Sequence, residues 1–367
     1  MLQLEARQTP SRAMVLGSPL LALSITVLMG IALFLMVGKD PLKGLLVFFY
    51  EPIKNSYALT ELTIKASPLI LIGLGLAIAY RANVWNIGAE GQYILGAIFA
   101  AGVSLTADKQ TGRWILLVIF FAAIFGGMLW AAITALLRDR FNANEILVSL
   151  MLVYIAQMLL SYLVYGPWKD PEGFNFPQTK TFDAVTQLPR LIEGFRMNIS
   201  VVIVVLTVIV MYLFIFRSFA GYQLQVTGLA PRAAQYAGFS SRKMLWIALL
   251  VSGGLAGLAG GLEVAGPLNQ LTPHVPAGYG FAAIIVAFIG RLHPVGVVLS
   301  GLLISMFYIG GELAQSRLGM PRALTGVFQG LMLFNLLACD TLIHYRLKKI
   351  KGSKQSRDSL KKIQVQA

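Results

Sequence analysis

The residues of this 367-residue chain that could do chemistry are few and widely spaced. The single cysteine, Cys339, excludes an intrachain disulfide and a cluster of thiolate metal ligands. The three histidines are far apart in the sequence, and no spacing of Cys, His or Asp resembles that of a metal site. No GxxxxGKS or GxxxxGKT phosphate-binding loop occurs, so this chain does not hydrolyse ATP by that machinery. The residue types therefore give little support to an enzyme.

Polar side chains stand where an apolar segment begins, in the stretch Trp85–Gln92. The apolar segment is preceded by Asn86, and its first residues include Glu90 and Gln92. The helix dipole favours a carboxylate in the first turn of a helix, so capping of the following helix is the default role of Glu90. An ionisable group at the mouth of a membrane span is unusual, so the lining of a polar translocation path is the second hypothesis for these residues.

Asn144 and Gln157 are two further candidates for the lining of such a path. Asn144 comes just before another apolar run, where its side chain can cap the helix that begins there. Gln157 lies inside the same run. Capping and path lining both remain open for Asn144.

Composition places these polar residues in a membrane protein. Hydrophobic residues make up 57% of the chain and charged residues 13%, against about 45–50% and about 25% in soluble domains. Because about 20 apolar residues cross a bilayer as a helix, the sequence predicts an all-α polytopic membrane protein with about ten transmembrane helices. The runs Ser67–Tyr80 and Phe281–Gly290 are short, which is typical of tilted or broken helices that line a path. The full set of predicted crossings is Val15–Gly38, Ser67–Tyr80, Ile87–Leu105, Trp114–Leu137, Ile146–Tyr165, Ile199–Phe216, Met244–Val264, Phe281–Gly290, Val295–Gly311 and Ala323–Ile343.

The distribution of basic residues predicts that both termini are cytoplasmic. With the N-terminus inside, 18 of the 30 Lys and Arg residues fall on the inner side, as the positive-inside rule requires. We therefore predict a transmembrane domain over residues 1–343 and a basic cytoplasmic tail over residues 344–367. Attraction to anionic lipid head groups accounts for the net charge of +14, so no nucleic acid partner is needed.

The central polar segment, residues 217–243, contains a short helix-like insert. Pro231 suits the first position of a helix, Ala233 and Ala234 favour its interior, and Gly238 suits a left-handed stop. Two helical turns are too short to be stable alone in water, so this helix needs a neighbour. Its own helix bundle and a separate protein are both possible neighbours.

Three glycines, Gly253, Gly257 and Gly261, form two successive GxxxG steps in the run Met244–Val264. Small residues let membrane helices approach closely, because packing rather than water drives their association. We favour tight packing inside the bundle, and the alternative is a helix pair at a subunit boundary.

Four stretches in order resemble the permease subunits of ABC importers, in the ribose and nucleoside branch of the branched-chain amino acid/ribose permease family. The resemblance covers most of the chain, from about Tyr57 to Leu342. The stretches are VWNIGAEGQYILGA (84–97), ANEILVSLMLVYIA (143–156), GPWKDPEGFNFPQT (166–179) and GYGFAAIIVAFIGRLHPVGVVLSGLL (278–303).

The resemblance gives the central insert a role as a coupling helix that sits in a groove of a separate ATPase. The stretch RAAQYAG (232–238) is similar to the Glu-Ala-Ala…Gly pattern of importer permeases, with arginine in place of the glutamate. The predicted coupling residues are Arg232, Ala233, Ala234, Tyr236 and Gly238. ATP and magnesium are expected on the ATPase, so no cofactor, metal or catalytic residue is expected in this chain.

The resemblance also implies partners, a substrate class and a location. We expect a second permease subunit in a heterodimer, and an extracytoplasmic substrate-binding lipoprotein that touches outer loops including residues 166–178. The expected location is the inner or plasma membrane of a prokaryote, and nucleosides are the first expected substrate, with simple sugars second. The alternative is a stand-alone ion-coupled secondary transporter of a small polar solute. That alternative needs mid-span carboxylates and two matching halves, and neither is clear in the sequence.

Overall fold

The apolar runs form a series of helices in a computed structural model that describes residues 2–6, 12–108, 110–321 and 323–349. Two short strands are β1 (Leu2–Ala6) and β2 (Tyr345–Lys349). Single π-helical or 3-10 turns cover Leu46–Tyr50, Glu51–Ile53 and Val264–Leu268. The α-helices are α1 (Arg12–Met36), α2 (Pro41–Leu45), α3 (Ser56–Arg81), α4 (Ala89–Thr106), α5 (Ile115–Phe141), α6 (Glu145–Tyr165), α7 (Ser200–Arg217), α8 (Phe219–Leu229), α9 (Pro231–Tyr236), α10 (Ser241–Glu263), α11 (Tyr279–Ile289), α12 (Pro294–Leu318) and α13 (Ala323–His344).

Each of the ten predicted crossings coincides with one helix, namely α1, α3, α4, α5, α6, α7, α10, α11, α12 and α13. Within the described residues, seven of these are long and apolar enough to cross a membrane by length and composition. Helix α4 has 18 residues and α11 has only 11. The predicted all-α, multi-pass membrane fold is confirmed.

Helix α3 is longer than its apolar run predicted. The predicted crossing Ser67–Tyr80 lies within this longer helix, which begins at Ser56, where the side chain of Asn55 caps it. Glu61 and Lys65 interrupt the apolar run without breaking the helix, since each pairs with a charge from a distant segment. Most of α3 is buried among the other helices, so it is a central element of the bundle.

The three GxxxG glycines lie where α10 meets α5. A Cβ atom added at Gly253 would lie 2.5 Å from the Cβ of Ala131, and one added at Gly261 would lie 2.5 Å from the Cβ of Ala123. At Gly257 it would overlap the backbone oxygen of Ala123. These glycines therefore pack within the chain itself, as in the favoured interpretation.

The chain groups into two units, residues 43–325 and residues 1–42 with 326–367. The larger unit contains the central helices described above. In the smaller unit, the Nδ2 group of Asn335 donates a hydrogen bond to the Oγ1 of Thr26 at 3.0 Å. Strands β1 and β2 pair antiparallel in this unit.

The paired strands bring the segment before α1 next to the segment after α13, which the composition did not predict. Of the predicted tail, residues 345–349 form β2, and residues 350–367 lie outside the described residues.

Candidate coupling surface and buried polar network

The short helix α9 is bounded by the residues that its sequence predicts. Pro231 occupies its first turn. At its other end, the N–H of Phe239 donates to the carbonyl of Ala234 at 2.9 Å, which satisfies a carbonyl in the last turn. Gly238 has φ of +77°, a left-handed conformation in which a side chain would be strained. Glycine therefore stops the helix at this point.

Helix α9 meets its own bundle through a single buried residue. Of the predicted coupling residues, Ala234 is fully buried, whereas Arg232, Ala233, Tyr236 and Gly238 are exposed. The Tyr236 side chain is 98% exposed. The helix is thus attached by one side, and its other sides are open to a partner.

Helix α8 anchors this segment to the end of α3. Leu224 is buried in a core cluster that includes Ala82 and Ala248. A Cβ atom added at Gly228 would overlap the backbone oxygen of Arg81 and would lie 2.9 Å from the carbonyl carbon of Ala82. Because these neighbours are backbone atoms, the contact cannot be relieved by a side-chain rotation. The α8 backbone therefore rests directly on the last turn of α3.

Arg81 connects the same corner to the start of α12. Its Nε group donates to the carbonyl of Leu292 at 3.0 Å, and its guanidinium carbon lies 5.2 Å from the ring centroid of Phe216. His293 caps α12, since its Nδ1 accepts from the N–H of Val295 at 3.3 Å. Burial, with the Arg81 charge as a second cause, lowers the pKa of the His293 imidazole. The neutral ring, which can accept this hydrogen bond, is thereby favoured.

Asn86 and Gln92 form a buried hydrogen-bonded network with α10. The Nδ2 group of Asn86 donates to the Oε1 of Gln92 at 2.8 Å and to the Oγ of Ser252 at 2.9 Å. In return, the Nε2 group of Gln92 donates to the Oδ1 of Asn86 at 3.1 Å. Asn86 also accepts from the N–H of Gly88, at the start of α4. The structure therefore places both side chains inside the subunit, and their role in a path stays a prediction.

Glu90 caps a helix, but that helix is α11 rather than its own. Its Oε1 accepts from the N–H of Gly278 at 2.9 Å, and its Oε2 accepts from the N–H of Gly280. A Cβ atom added at Gly280 would lie 2.6 Å from the Cα of Glu90, so the close approach requires glycine. The sequence could not show this pairing, because Glu90 and Gly278 are 188 residues apart. Path lining by Glu90 stays a prediction.

Asn144 caps α6 as the sequence allows. Its Oδ1 accepts from the N–H of Ile146 at 2.9 Å. Gln157 is half-buried in the middle of the same helix. Path lining by Asn144 and Gln157 also stays a prediction.

Sequence reasoning missed a charged and aromatic group, which we call the Lys65 cluster: Lys65, Tyr279, Tyr308 and Glu312. The Lys65 Nζ lies 2.9 Å from the Oε1 of Glu312. It also lies 5.6 Å from the ring centroid of Tyr279 and 5.8 Å from that of Tyr308. The available signal was a lysine within an apolar helix, which is rare without a function.

Comparison with known proteins identifies the family of this bundle. Residues 58–337 match the family model described as "Branched-chain amino acid transport system / permease component". The chain is 32% identical over 356 residues to the glucose ABC transporter permease protein TsgB13 of Haloferax volcanii, covering 94% of this chain and 93% of that protein. It is 28% identical over 335 residues to the guanosine ABC transporter permease protein NupP of Bacillus subtilis, covering 91% and 96% respectively.

A further relative is the putative glucose ABC transporter permease protein TsgC13 of Haloferax volcanii, 32% identical over 249 residues, covering 65% of this chain and 73% of that protein. The family match favours the importer-type permease over the ion-coupled carrier, and permeases of this family are membrane subunits that do not hydrolyse ATP. The chain therefore belongs to the family of branched-chain amino acid transport system permease components and is a multi-pass membrane permease subunit of an ABC transporter.

Proposed function

We propose that this chain is one permease half of an ATP-driven importer of nucleosides or simple sugars. The relatives named for glucose and for guanosine support this substrate class. Two permeases of Haloferax volcanii, TsgB13 and TsgC13, are both similar to this chain, which supports a second, non-identical permease as its partner. The proposed location is the inner or plasma membrane of a prokaryote.

The cytoplasmic partner in this proposal is a separate ATPase that binds α9 and carries ATP and magnesium. The observation that carries the proposal is the exposure of Tyr236 on a helix held only at Ala234. Aromatic side chains are common anchors of protein interfaces, and an isolated short helix needs a neighbour. Closure of the ATPase would displace α9 and α8 together and would open the path alternately to the two sides.

The outer partner in this proposal is an extracytoplasmic lipoprotein that delivers substrate to loops including residues 166–178. In this stretch Phe174 is 93% exposed, and Phe176 is exposed as well. Phe174 and Asn175 have φ of +48° and +66°, so the backbone holds an aromatic side chain outward in a conformation that is uncommon for such residues. Exposed aromatic residues on a fixed loop suit a docking surface.

Cysteine labelling of the assembled transporter tests the orientation of α9. The only native cysteine, Cys339, is buried, so Tyr236→Cys introduces an accessible thiol. Before the ATPase is added, a membrane-impermeant maleimide should label this thiol from the cytoplasmic side only, and in the assembled transporter the bound ATPase should block the reaction. Phe174→Cys is the matched control and should be labelled from the outside only. Labelling of Tyr236→Cys from the outside would overturn the proposal.

Uptake measurements test the energy source. In proteoliposomes that contain the assembled transporter, uptake of radiolabelled guanosine or D-glucose should require ATP. Uptake should also stop when residues 231–238 are replaced by a flexible Gly-Ser linker, because the ATPase then has no helix to bind. Uptake that an ion gradient drives without ATP would contradict the importer, as would full activity of the linker variant.

A further inference from the structure

The Lys65 cluster combines a cation, a carboxylate and two aromatic rings in one place. The Lys65 ammonium pairs with the Glu312 carboxylate at 2.9 Å and lies within 6 Å of both tyrosine ring centroids. The two rings are in edge contact, with their centroids 5.4 Å apart. A cation at this distance from aromatic rings is attracted to their faces. The three helices α3, α11 and α12 therefore meet at a group with a fixed geometry.

The cluster lies along helices that are long enough to cross a membrane, yet its carboxylate is open. Lys65 is nine residues from the start of α3, or about 14 Å along its axis, and Glu312 is six residues from the end of α12, or about 9 Å. The Glu312 side chain is 62% exposed and that of Lys65 is 25% exposed. A carboxylate that faces lipid tails is costly, so an aqueous space or a polar partner must adjoin Glu312.

The backbone beside the cluster is irregular, which is an independent observation at the same place. Helix α11 has 11 residues, about 17 Å, which is too short to cross a bilayer, and its first residue is Tyr279. The ten residues before it, 269–278, are not helical, and most of them are partly exposed. The Tyr308 hydroxyl donates to the carbonyl of Ala277 in this stretch at 3.3 Å. Non-helical backbone at membrane depth is tolerated where it is covered by protein or lines a cavity, and broken helices often mark substrate sites.

We propose that the Lys65 cluster contacts the hydroxyl groups of a neutral polyhydroxy substrate, such as the sugar ring of a nucleoside or a hexose, inside the path. The inference rests on the proposed function. Lys65 offers ammonium donors and Glu312 offers carboxylate acceptors, which together match adjacent hydroxyl groups that both donate and accept. Glu263 is also close enough to interact with Lys65 and Glu312, so the cluster has no excess positive charge that would select an anionic substrate. The Tyr308 ring, 5.8 Å from the Lys65 Nζ, adds an apolar side to the cluster.

The test compares two substrates, with and without hydroxyl groups, in the wild-type protein and in variants of the cluster. The probe is whichever of guanosine and D-glucose the assembled transporter imports better, compared with its deoxy analogue, 2′,3′-dideoxyguanosine or 2-deoxy-D-glucose. The measured quantity is the ratio of the two uptake rates, in the wild type and in Lys65→Met or Glu312→Gln. Each variant should reduce the preference for the hydroxylated substrate by about tenfold, the factor expected for a lost charge-assisted hydrogen bond. Because the binding protein is the same throughout, its own selectivity cancels in the comparison.

Arg317→Met is the matched control. Arg317 lies on α12, as Glu312 does, but it pairs with Glu51 rather than with a residue of the Lys65 cluster. Its removal should therefore leave the ratio of the two uptake rates unchanged. If Lys65→Met does not assemble, Lys65→Arg keeps the positive charge but moves the donors, and it should still reduce the preference.

A cluster that serves only to hold the helices together would give a different result. Variants would then lower uptake of both substrates equally, and an unchanged ratio with ATP-dependent uptake would overturn this inference while leaving the proposed function intact. Transport of neither guanosine nor D-glucose would overturn the proposed substrate class, and this inference with it.

Discussion

The contact between α10 and α5 yields a prediction with a calculable size for Gly257→Ala. The new Cβ would overlap the backbone oxygen of Ala123 and would lie 2.9 Å from the Cα of Gly127, whereas carbon atoms in contact prefer about 3.5–4.0 Å. The carbon contact alone requires the helices to separate by roughly 0.6–1.1 Å, and the overlap with the oxygen requires at least as much. Overpacking of this kind costs about 1–3 kcal/mol, and the better helix propensity of alanine offsets up to about 1 kcal/mol. We expect a net loss of about 1–2 kcal/mol.

Intrinsic tryptophan fluorescence during thermal unfolding measures this loss in the right part of the molecule. All five tryptophans lie in the unit of residues 43–325, which also contains Gly257: Trp85, Trp114, Trp130, Trp168 and Trp246. For a unit of this size each kcal/mol corresponds to about 2 °C in Tm. The expected fall is therefore about 2–4 °C.

Gly330→Ala supplies the control for this experiment. Gly330 is a helical glycine in α13, and nothing lies within 4 Å of its added Cβ. This substitution should not lower stability, since it adds helix propensity without a clash. Its unit contains Cys339, whose reaction with a thiol dye reports unfolding there. If Gly257→Ala leaves Tm unchanged or raises it, the close backbone contact does not have the strength inferred here.

Three further substitutions test single hydrogen-bonding groups by thermal unfolding. Glu90→Gln leaves at most one carbonyl acceptor for the N–H groups of Gly278 and Gly280, so a loss of about 1–3 kcal/mol is expected, and no loss would show that the cap is dispensable. Asn144→Ala removes the cap of α6 and should cost about 1 kcal/mol, whereas an unchanged Tm would contradict its role. His293→Ala should flatten the dependence of stability on pH. The folded chain holds the His293 pKa below 6.5. The contribution of the neutral His293 ring to the free energy of unfolding is therefore present above about pH 6.5 and is lost as the pH falls through the lowered pKa. Equal pH dependence of the two proteins between about pH 5 and about pH 8 would refute this.

Apolar runs and helix-capping residues predicted the elements of the fold, because both act over short distances along the chain. Ten apolar runs became ten helices, since a run of apolar residues needs only a bilayer or a core to bury it. Gly238 stops α9 for a reason that lies in its own backbone, its φ of +77°. Asn144 likewise caps the helix that begins one residue later.

Contacts between remote segments could not be predicted in the same way. The part of α3 before Ser67 was not predicted, because Glu61 and Lys65 lower its hydropathy, and their partners lie 135 and 247 residues away. Glu90 was expected to cap α4, but its acceptor atoms reach the start of α11 instead. In each case the partner makes a polar residue acceptable inside the bundle, and a single sequence contains no sign of which partner it is.

One buried helix joins the coupling surface to the Lys65 cluster. Helix α3 carries Lys65 in its first half, and its last residue, Arg81, lies under α8. Along its middle, Gly73 would place a Cβ 3.0 Å from the side chain of Val286, and Gly75 would place one 2.9 Å from the Cα of Ser252. The part of α3 around Gly73 and Gly75 is therefore packed too closely to bend, whereas Pro68, between it and Lys65, is a position at which a helix kinks. In the proposed mechanism, a displacement of α8 would be transmitted along α3 to Pro68, and a change of the kink there would alter the distance between Lys65 and Glu312.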